Sequence, residues 1–300
     1  FITLCVIADW DWASPITIFP FWCWAILGGI ATFAALRLRC NRWHGLVLVC
    51  LWLASVIWFS DNLSSLWRLL SNPKTPSGTV LRIVTLNCAG NSNAAREVIR
   101  LKPDIVLLQE IPRSTNVLTE LGKGLFGDEA AIINGYDCAI LARGRFEEIQ
   151  ERQPQYVQAA LHLPSAHRIL ITSLRLVPPV ARLDLWNPNA WRASIANRRL
   201  RRQQLLSVLE RDQTKSNIEI LGGDFNTTAN DTTLRLLSEF EDAHHAAGRG
   251  WGNTMLNNIP IARPDQIWVR KLRVISAQAI KTKNSDHQLV LVLVEIPADK

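Results

Sequence analysis

The chain has 300 residues and a net charge of +7, enough sequence for one large domain or two smaller ones. Its six cysteines form no CxxC pair and no Cys/His pattern, which excludes a zinc site of the thiolate type. The modest positive charge favours a polyanionic partner or an anionic membrane surface, without choosing between them.

The first 72 residues differ in composition from the rest of the chain. They hold eight of the 12 Trp residues but only four Lys/Arg and three Asp/Glu. Residues 15–36 carry no charge, and residues 43–60 form a second uncharged run that is near the short limit for a membrane span. We therefore predict two transmembrane helices, with tryptophans at the membrane interface. A buried hairpin of a soluble protein is the alternative.

Between the two runs lie three arginines, Arg37, Arg39 and Arg42. By the positive-inside rule their loop is cytoplasmic, so both outer flanks lie on the far side of the membrane. We interpret the apolar start at Phe1 as the end of a truncated preceding span rather than a signal peptide. Residues 1–72 are thus predicted to be a membrane anchor and residues 73–78 a linker. Residues 79–300 then form an extracytoplasmic domain, periplasmic or external.

Residues 79–110 predict a strand, a helix and a second strand. The first strand ends at Asn87, the helix covers residues 94–101, and the apolar run after it finishes at the carboxylate of Glu110. Strand, helix and strand in this order indicate a layered α/β domain. Further strands are predicted over residues 130–134, 138–141, 156–163 and 168–174.

Residues 177–197 contain three prolines and are predicted to be an irregular, substrate-facing loop. A helix is predicted over residues 198–212, and its first turns carry Arg198, Arg199, Arg201 and Arg202. Phosphate binding is one interpretation of these arginines, and a solvated helix face is the favoured one. A second helix is predicted over residues 231–240, and strands over residues 266–269 and 288–294.

The predicted site is built around residues 218–228. They read Ile-Glu-Ile-Leu-Gly-Gly-Asp-Phe-Asn-Thr-Thr, a buried strand that ends at two glycines. Residues two apart in an extended chain face the same side, so Asp224 and Asn226 direct a carboxylate and a carboxamide at one place. An ordinary strand-to-turn junction is the alternative, because Asp, Asn and Gly are common there.

The ends of other predicted strands also carry carboxylate, amide or imidazole groups. They are Asn87, Glu110, Asp265, Asp286 and His287. Oxygen ligands without cysteine suit a hard cation such as Mg²⁺, with Mn²⁺ as a second candidate. Such a cation would neutralise a phosphoryl oxygen and organise a water for in-line attack. A cationic His287 would stabilise the charge that grows on the phosphate.

Five motifs occur in a fixed order along the chain. They are Leu86-Asn87, Gln109-Glu110, Gly223-Asp-Phe-Asn226, Pro264-Asp-Gln-Ile267 and Ser285-Asp-His287. This set resembles the endonuclease/exonuclease/phosphatase superfamily of DNase I-like nucleases, neutral sphingomyelinases and inositol polyphosphate phosphatases. The resemblance covers about residues 79–296 and indicates a membrane-anchored, bacterial-type member. It implies a four-layer αββα sandwich, two β-sheets flanked by helices, with the site at one rim.

The resemblance also implies residue roles. The metal ligands would be Glu110, Asn87 and Asp286. The catalytic residues would be Asp224, Asn226, Asp265 and His287. Among these, Asp224 would align or deprotonate the attacking water, Asn226 would contact the phosphate, and Asp265 would orient His287.

One position departs from the family pattern. Where many members have Thr-His-Leu, this chain has Thr172-Ser173-Leu174, followed by Arg175. Serine can donate a hydrogen bond but cannot be cationic, so phosphate stabilisation is weaker unless Arg175 or another donor compensates. We predict that Ser173 and Arg175 bind the substrate.

The leading hypothesis is a Mg²⁺-dependent phosphodiesterase or phosphomonoesterase that acts on nucleic acid or on a phospholipid head group. The second hypothesis, which the missing histidine motivates, is a catalytically weakened, membrane-tethered binding module of the same fold. Besides the substrate and the lipid bilayer, no protein partner is evident from the sequence.

Overall fold

The computed structural model describes residues 4–5, 8, 10–37, 42–59, 61–72, 74–147, 152–163, 167–210 and 218–296. Residues 38–41 of the predicted cytoplasmic loop at 37–42 lie outside the described residues, as does most of the predicted truncated span at residues 1–8. Residue 73 of the predicted linker is also outside them, and residues 74–78 contain no helix or strand.

The described strands are, in chain order, β1 (Val80–Asn87), β2 (Ile105–Gln109), β3 (Ala130–Asn134), β4 (Cys138–Arg143), β5 (Arg145–Phe146), β6 (Arg152–Gln153), β7 (Tyr156–His162), β8 (Arg168–Arg175), β9 (Ile218–Asp224), β10 (Glu241–Asp242), β11 (Asp265–Arg270), β12 (Arg273–Ile280) and β13 (Leu289–Glu295). Sheet A has the order β12-β13-β1-β2-β4-β3, and sheet B has the order β10-β11-β9-β8-β7-β5, with β6 paired to β7. Each sheet contains one parallel pair, β1 with β2 in sheet A and β8 with β9 in sheet B. The other pairs are antiparallel, so both sheets are mixed.

The described helices are α1 (Ser14–Thr17), α2 (Phe21–Arg37), α3 (Arg42–Phe59), α4 (Asp61–Trp67), α5 (Ser92–Arg96), α6 (Thr115–Phe126), α7 (Pro188–Glu210) and α8 (Ala243–Ala247). Short 3₁₀ helices cover Asp11–Ala13, Arg68–Leu70, Glu97–Leu101, Gly127–Glu129 and Thr232–Leu237. The predicted helix over residues 94–101 is therefore divided between α5 and a 3₁₀ helix, and the one over residues 231–240 is only a 3₁₀ helix.

The long helix α7 begins ten residues before its predicted start, so the second half of the predicted irregular loop is helical. Pro188 occupies the first helical position, where the missing N–H of proline costs nothing. Asn187 precedes it, and its Oδ1 accepts a hydrogen bond from the Asn189 N–H at 3.0 Å. Pro188 was therefore a start signal for the helix, whereas Pro178 and Pro179 lie in the first half of the predicted loop, which contains no helix or strand.

Apolar side chains fill three interfaces and confirm the layered sandwich. Between the sheets, Ile83, Leu107 and Ile171 are fully buried. The outer face of sheet A packs its residue Leu86 with Leu121 of α6. The outer face of sheet B packs against α7 through residues such as Leu205, Val208 and Leu221. Since both faces of each sheet are covered, the central strands are apolar at successive positions rather than at alternate ones.

The two N-terminal apolar helices, α2 and α3, pack against each other and expose most of their side chains. Gly28 lies so close to Trp52 that an added Cβ would be 2.1 Å from the indole ring, whereas Ile30, Phe33 and Ile57 are at least 60% exposed. The predicted span over residues 15–36 is divided between α1 and α2. Within the described ranges no single helix has the length and hydropathy to cross a membrane. The segments Asp11–Thr17 and Phe21–Arg37 together have the required length and hydropathy, but they are bent by 71° relative to each other.

Candidate active site

The strand register brings the predicted site residues to one rim of the sandwich. In sheet B, Asp224 at the end of β9 pairs with Arg175 at the end of β8 and with Asp265 at the start of β11. In sheet A, Asn87 at the end of β1 pairs with Gln109 at the end of β2, which precedes Glu110. His287 lies two residues before β13, a neighbour of β1.

Hydrogen bonds and an ion pair connect the two sheets at this rim. The Asn87 Nδ2 donates to Glu110 Oε1 at 2.9 Å and to Asp224 Oδ2 at 3.0 Å. The His287 Nδ1 lies 2.7 Å from Asp265 Oδ2, and the Arg175 Nη2 lies 2.8 Å from Glu110 Oε1. Six of the nine residues predicted for the site thus form one cluster: Asn87, Glu110, Arg175, Asp224, Asp265 and His287.

Unusual backbone geometry at the rim fixes these side chains. Gly223 has a φ of 143°, and an added Cβ would be 2.0 Å from the Leu174 carbonyl oxygen, so only glycine fits there. Glu110 and Asn226 have φ values of 43° and 50°, the left-handed region that side chains other than glycine rarely adopt. Such residues concentrate at functional sites, where the surrounding structure holds them in place.

The two aspartates of sheet B are buried, and the charge of Asp265 contributes to a raised pKa of Asp224. Asp224 and Asp265 are 1% and 0% exposed. Burial, and then the charge of Asp265, raise the pKa of Asp224 to about 6, although the charge of His287 opposes this. A carboxyl group with this pKa is mostly deprotonated at neutral pH and can still accept a proton readily.

The imidazole of His287 is held as a cation. Burial lowers its pKa, but the charge of Asp265, its hydrogen bond to that carboxylate, and the charges of Asp224 and Asp286 together raise the pKa to about 10. The positive ring therefore balances one of the two buried carboxylates across the neutral range.

The oxygen atoms of the cluster fit a divalent cation. Ligand atoms of Asp224, Asp265 and His287 lie within 4.8 Å of one another. The Asp265 Oδ1 is buried and accepts no hydrogen bond from the described residues, and a buried charged oxygen without a partner is costly. A protonated His287 is a poor metal ligand, so the oxygen donors within this group are the carboxylates of Asp224 and Asp265. The partly exposed Glu110 lies outside the group, and the Asn87 amide connects it to Asp224.

The structure places three predicted site residues outside the cluster. Ser173 is fully buried, and its hydroxyl donates to the Leu108 carbonyl at 3.1 Å and accepts from Gln109 Nε2 at 3.0 Å, so it does not face a substrate. The side chain of Asp286 is exposed and is not part of the metal-sized group. The Asn226 Nδ2 donates to the Leu176 carbonyl at 2.8 Å, so this amide braces the turn after β9.

Two residues that hold the cluster were missed. Thr254 donates its hydroxyl hydrogen bond to Asp265 Oδ2, and Asp137 pairs with Arg175 Nη1 at 2.9 Å. Asp137 lies in the short turn between β3 and β4, and Thr254 ends a glycine-rich loop. The only sequence feature that could have indicated these residues is that both lie in loops shortly after a glycine. Neither residue belongs to a motif that predicts a site.

The arginines at the start of the predicted helix are divided between two environments. Arg198 and Arg201 are each 1% exposed, and Arg198 contacts the Trp10 carbonyl, Asp231 and Thr232. The predicted solvated face is therefore wrong for these two residues, because the N-terminal segment and the turn after β9 cover them.

Comparisons with known proteins agree with this geometry. The family model described as the Endonuclease/Exonuclease/phosphatase family matches residues 84–287. No curated protein sequence matches the chain significantly. An endonuclease/exonuclease/phosphatase from Beutenbergia cavernae DSM 12333 has 16% identity and a TM-score of 0.55 over 72% of each chain.

Two further solved structures share the fold. A family protein from Leptotrichia buccalis C-1013-b has 19% identity and a TM-score of 0.52, over 72% of this chain and 100% of that one. D. rerio TDP2, complexed with a single strand DNA product, has 17% identity and a TM-score of 0.53, over 72% of this chain and 99% of that one. Since the family model matches more than half of the sequence, the chain belongs to the endonuclease/exonuclease/phosphatase family.

Proposed function

We propose that the chain is a divalent-metal-dependent phosphoester hydrolase in which a water molecule attacks phosphorus. The observation that carries the proposal is the cross-sheet cluster, in which a buried aspartate, a His–Asp pair and a partly exposed glutamate meet at one rim. A base, a cationic donor and a set of oxygen ligands in one place are what phosphoester hydrolysis requires.

Asp224 is proposed to accept the proton of the attacking water. Its Oδ1 accepts the Asn226 backbone N–H at 2.9 Å and its Oδ2 accepts the Asn87 amide at 3.0 Å, so the carboxylate cannot rotate freely. Its raised pKa, about 6, brings its basicity closer to the operating pH, where general bases are most effective.

His287 is proposed to stabilise the phosphoryl oxygens. Its Nδ1 is engaged by Asp265, which leaves Nε2 as the ring nitrogen that can donate to the substrate. Because the ring carries a positive charge, this donor opposes the negative charge that develops on phosphorus during attack.

A divalent cation, Mg²⁺ or Mn²⁺, would be held by Glu110 and by Asp265, whose buried Oδ1 accepts no hydrogen bond from the described residues, while Asp224 remains the base. When bound, the cation supplies charge neutralisation at the phosphoryl oxygens and lowers the pKa of a bound water. Asn87 lies between Glu110 and Asp224, because its amide donates to both carboxylates and thereby fixes their separation.

Arg175 is proposed to replace the histidine that this chain lacks. Its guanidinium lies at the end of β8 between Glu110 and Asp137, at the open side of the cluster and about a quarter exposed. A guanidinium is always charged and its fork geometry matches phosphate oxygens. This residue, and not Ser173, is therefore the proposed phosphate ligand on sheet B.

We further propose that residues 1–72 anchor the protein in a membrane, with the hydrolase of residues 79–300 on the extracytoplasmic side. The support is the two uncharged runs, residues 15–36 and 43–60, and the exposed apolar surfaces of α2 and α3. Two substrate classes follow. The net charge of +7 and the DNA product held by the TDP2 neighbour support nucleic acid, and membrane attachment supports a phospholipid head group.

The activity can be measured on the full-length chain in detergent with bis(p-nitrophenyl) phosphate. Hydrolysis should require Mg²⁺ or Mn²⁺ and stop in EDTA. Glu110→Gln should lower kcat/KM by about 10²-fold, the scale of a damaged metal site. The matched control is Glu129→Gln, which removes an exposed carboxylate in Gly127–Glu129. Activity that survives both EDTA and Glu110→Gln would overturn the proposal.

A further inference from the structure

The N-terminal segment is attached to the domain at the rim that carries the site. Because α7 is the crossover between the parallel strands β8 and β9, its N-terminal end lies on the rim side. The Val177 N–H, just past β8, bonds to Gln204, and the Asn197 Nδ2 donates to the Pro178 carbonyl. The turns of α7 before Asn197 therefore extend beyond the strand ends, by about 14 Å at 1.5 Å per residue.

Residues 10–17 pack against this projecting part of α7. Trp12 stacks on Trp191 with ring centroids 6.5 Å apart, and the hydroxyls of Ser14 and Ser194 are 3.0 Å apart. The contacts are specific and partly buried, so the chain that enters α2 is fixed at the rim rather than at the opposite end of the sandwich.

The start of α2 is fixed directly beside the catalytic cluster. The Trp22 Nε1, in the first turn of α2, donates to the Ile261 carbonyl at 3.0 Å. Ile261 belongs to a hairpin in which Met255 forms β-bridges with both Ala262 and His287. One hairpin thus connects the apolar helix pair to the catalytic histidine.

The helix pair also returns to the domain near the rim. After α3, Ser65 of α4 donates to the Gly250 carbonyl at 2.7 Å, and its own carbonyl accepts the Gly250 N–H at 3.1 Å. Both ends of the α2–α3 pair are therefore held by the loop region 248–262, next to the site.

Apolar and basic side chains are exposed on the loops around the site. Leu183 and Trp186, before α7, are 81% and 84% exposed, and Leu256 and Ile259, at the tip of the Met255 hairpin, are 51% and 74% exposed. Lys281 and Lys283 lie between β12 and β13 and are also exposed. We call these six residues the rim surface.

A groove lies within the rim surface, next to the site. It has a volume of about 590 Å³ and is lined by Leu256, Ile259, Lys281, Lys283 and Asp286, the last of which precedes His287. Groove volumes of this size suit small-molecule groups, and the combination of lysines with aliphatic side chains matches an anionic head group beside its acyl chains.

We propose that the rim surface lies on the lipid bilayer, and that the site acts on a phosphoester of the head-group layer rather than on nucleic acid. This inference rests on the proposed function and on the proposed anchor. The bilayer is the expected contact of the rim surface because the apolar α2–α3 pair, the proposed anchor, leaves the domain beside the same hairpin that exposes Leu256 and Ile259.

The orientation is tested by photo-crosslinking of the full-length chain in vesicles of phosphatidylcholine and phosphatidylglycerol. The photoreactive residue p-benzoylphenylalanine replaces Trp186 or Ile259 on the rim surface, Phe33 on α2, or Asp128, which is exposed before β3 at the opposite end. Lipid adducts, detected by mass spectrometry, should form at positions 186, 259 and 33 but not at 128. Adducts at position 33 alone would overturn the inference and leave the anchor standing. An absence of adducts at all four positions would overturn both.

The substrate class is tested by three probes with the same protein: the vesicle lipids, a single-stranded oligonucleotide and soluble bis(p-nitrophenyl) phosphate. We expect lipid hydrolysis, and Leu183→Ser, on the rim surface but outside the groove, should lower its rate about tenfold by removing an apolar contact with the bilayer. The same variant should hydrolyse the soluble diester at the wild-type rate. The control is Ile99→Ser, at an exposed isoleucine outside the rim surface, which should change neither the lipid rate nor the diester rate.

The outcomes separate the two proposals. Cleavage of the oligonucleotide and of the soluble diester without lipid hydrolysis would overturn the membrane substrate and retain the hydrolase. Failure on all three probes would overturn the hydrolase itself, while the crosslinking result would still decide the orientation.

Discussion

The two sheets contribute to the site in different ways. Sheet B supplies Asp224 and Asp265, which are almost completely buried. Sheet A supplies Glu110 and His287, whose side chains are 33% and 12% exposed. Hydrogen bonds across the rim join the two sheets. The buried carboxylates of sheet B therefore determine the charge and the position of the groups that sheet A presents to solvent.

This difference predicts how the sheets respond to substitution. Charges in a buried site interact strongly because little water screens them. Removing a charge from sheet B should therefore alter the whole cluster, whereas changes on the exposed side should have more local effects. Arg175 tests the rule, because it belongs to sheet B and yet lies partly in solvent.

The largest effect is expected for Asp224→Asn. The variant keeps the size of the side chain but removes the proposed base, so kcat/KM should fall by about 10³- to 10⁴-fold. The measurement is hydrolysis of bis(p-nitrophenyl) phosphate, with circular dichroism to confirm folding. Asp128→Asn, an exposed substitution far from the rim, is the control and should retain full activity. Residual activity within tenfold of the wild type would exclude Asp224 as the base.

The second effect is a shift of the pH profile in Asp265→Asn. In the wild type, kcat/KM should fall below about pH 6, as Asp224 takes up a proton, and above about pH 10, as His287 loses its proton. Removing the Asp265 charge ends its repulsion of Asp224 and its attraction for the imidazolium. Both pKa values should then fall, and both limbs of the profile should move to lower pH.

The way in which the acid and alkaline limbs of the pH profile move in Asp265→Asn distinguishes between possible roles of Asp265. Loss of rate with unmoved limbs would indicate that Asp265 only supports the fold near the site. A shift of the alkaline limb alone would indicate that Asp265 acts on His287 and not on Asp224, which would contradict the coupling between the two buried carboxylates.

The sequence predicted the parts of the site that depend on strand ends. Asn87, Glu110 and Asp224 each end or follow a short apolar run. Parallel strands bring Asn87 and Glu110 to one edge of sheet A, and the end of β9 brings Asp224 to the same rim in sheet B. The layered α/β fold followed from the same runs. What was predicted correctly is therefore what a local pattern and the register of a sheet determine together.

The errors occurred where tertiary packing decides. Nothing local distinguishes an exposed Ser173 from a buried one, since its hydroxyl is satisfied by Leu108 and Gln109 from the other sheet. Arg198 contacts the Trp10 carbonyl, 188 residues earlier in the chain. Such contacts between distant residues leave no periodic signal in the sequence.

An intermediate effect is expected for Arg175→Lys. Lysine keeps the charge but loses the planar fork that contacts Glu110 and Asp137 together. We expect KM for the diester to rise about tenfold with a smaller change in kcat, because one phosphate contact is weakened. Arg143→Lys, at the end of β4 away from the rim, is the matched control. If Arg175→Lys has wild-type kinetics, Arg175 serves only to hold the β3–β4 turn.

The smallest effect on activity is expected for Ser173→Ala. The hydroxyl is buried and its proton is donated to the Leu108 carbonyl, so its removal should change kcat/KM by less than about threefold, while loss of a buried hydrogen bond costs about 1 kcal/mol of stability. Ser173→His, which restores the family residue, should destabilise the fold by about 1–3 kcal/mol because the fully buried position has no space for an imidazole. Thermal unfolding and diester hydrolysis measure both variants. A gain of activity in Ser173→His would instead favour the weakened binding module, because it would show that the site lacks a cation that Arg175 does not supply.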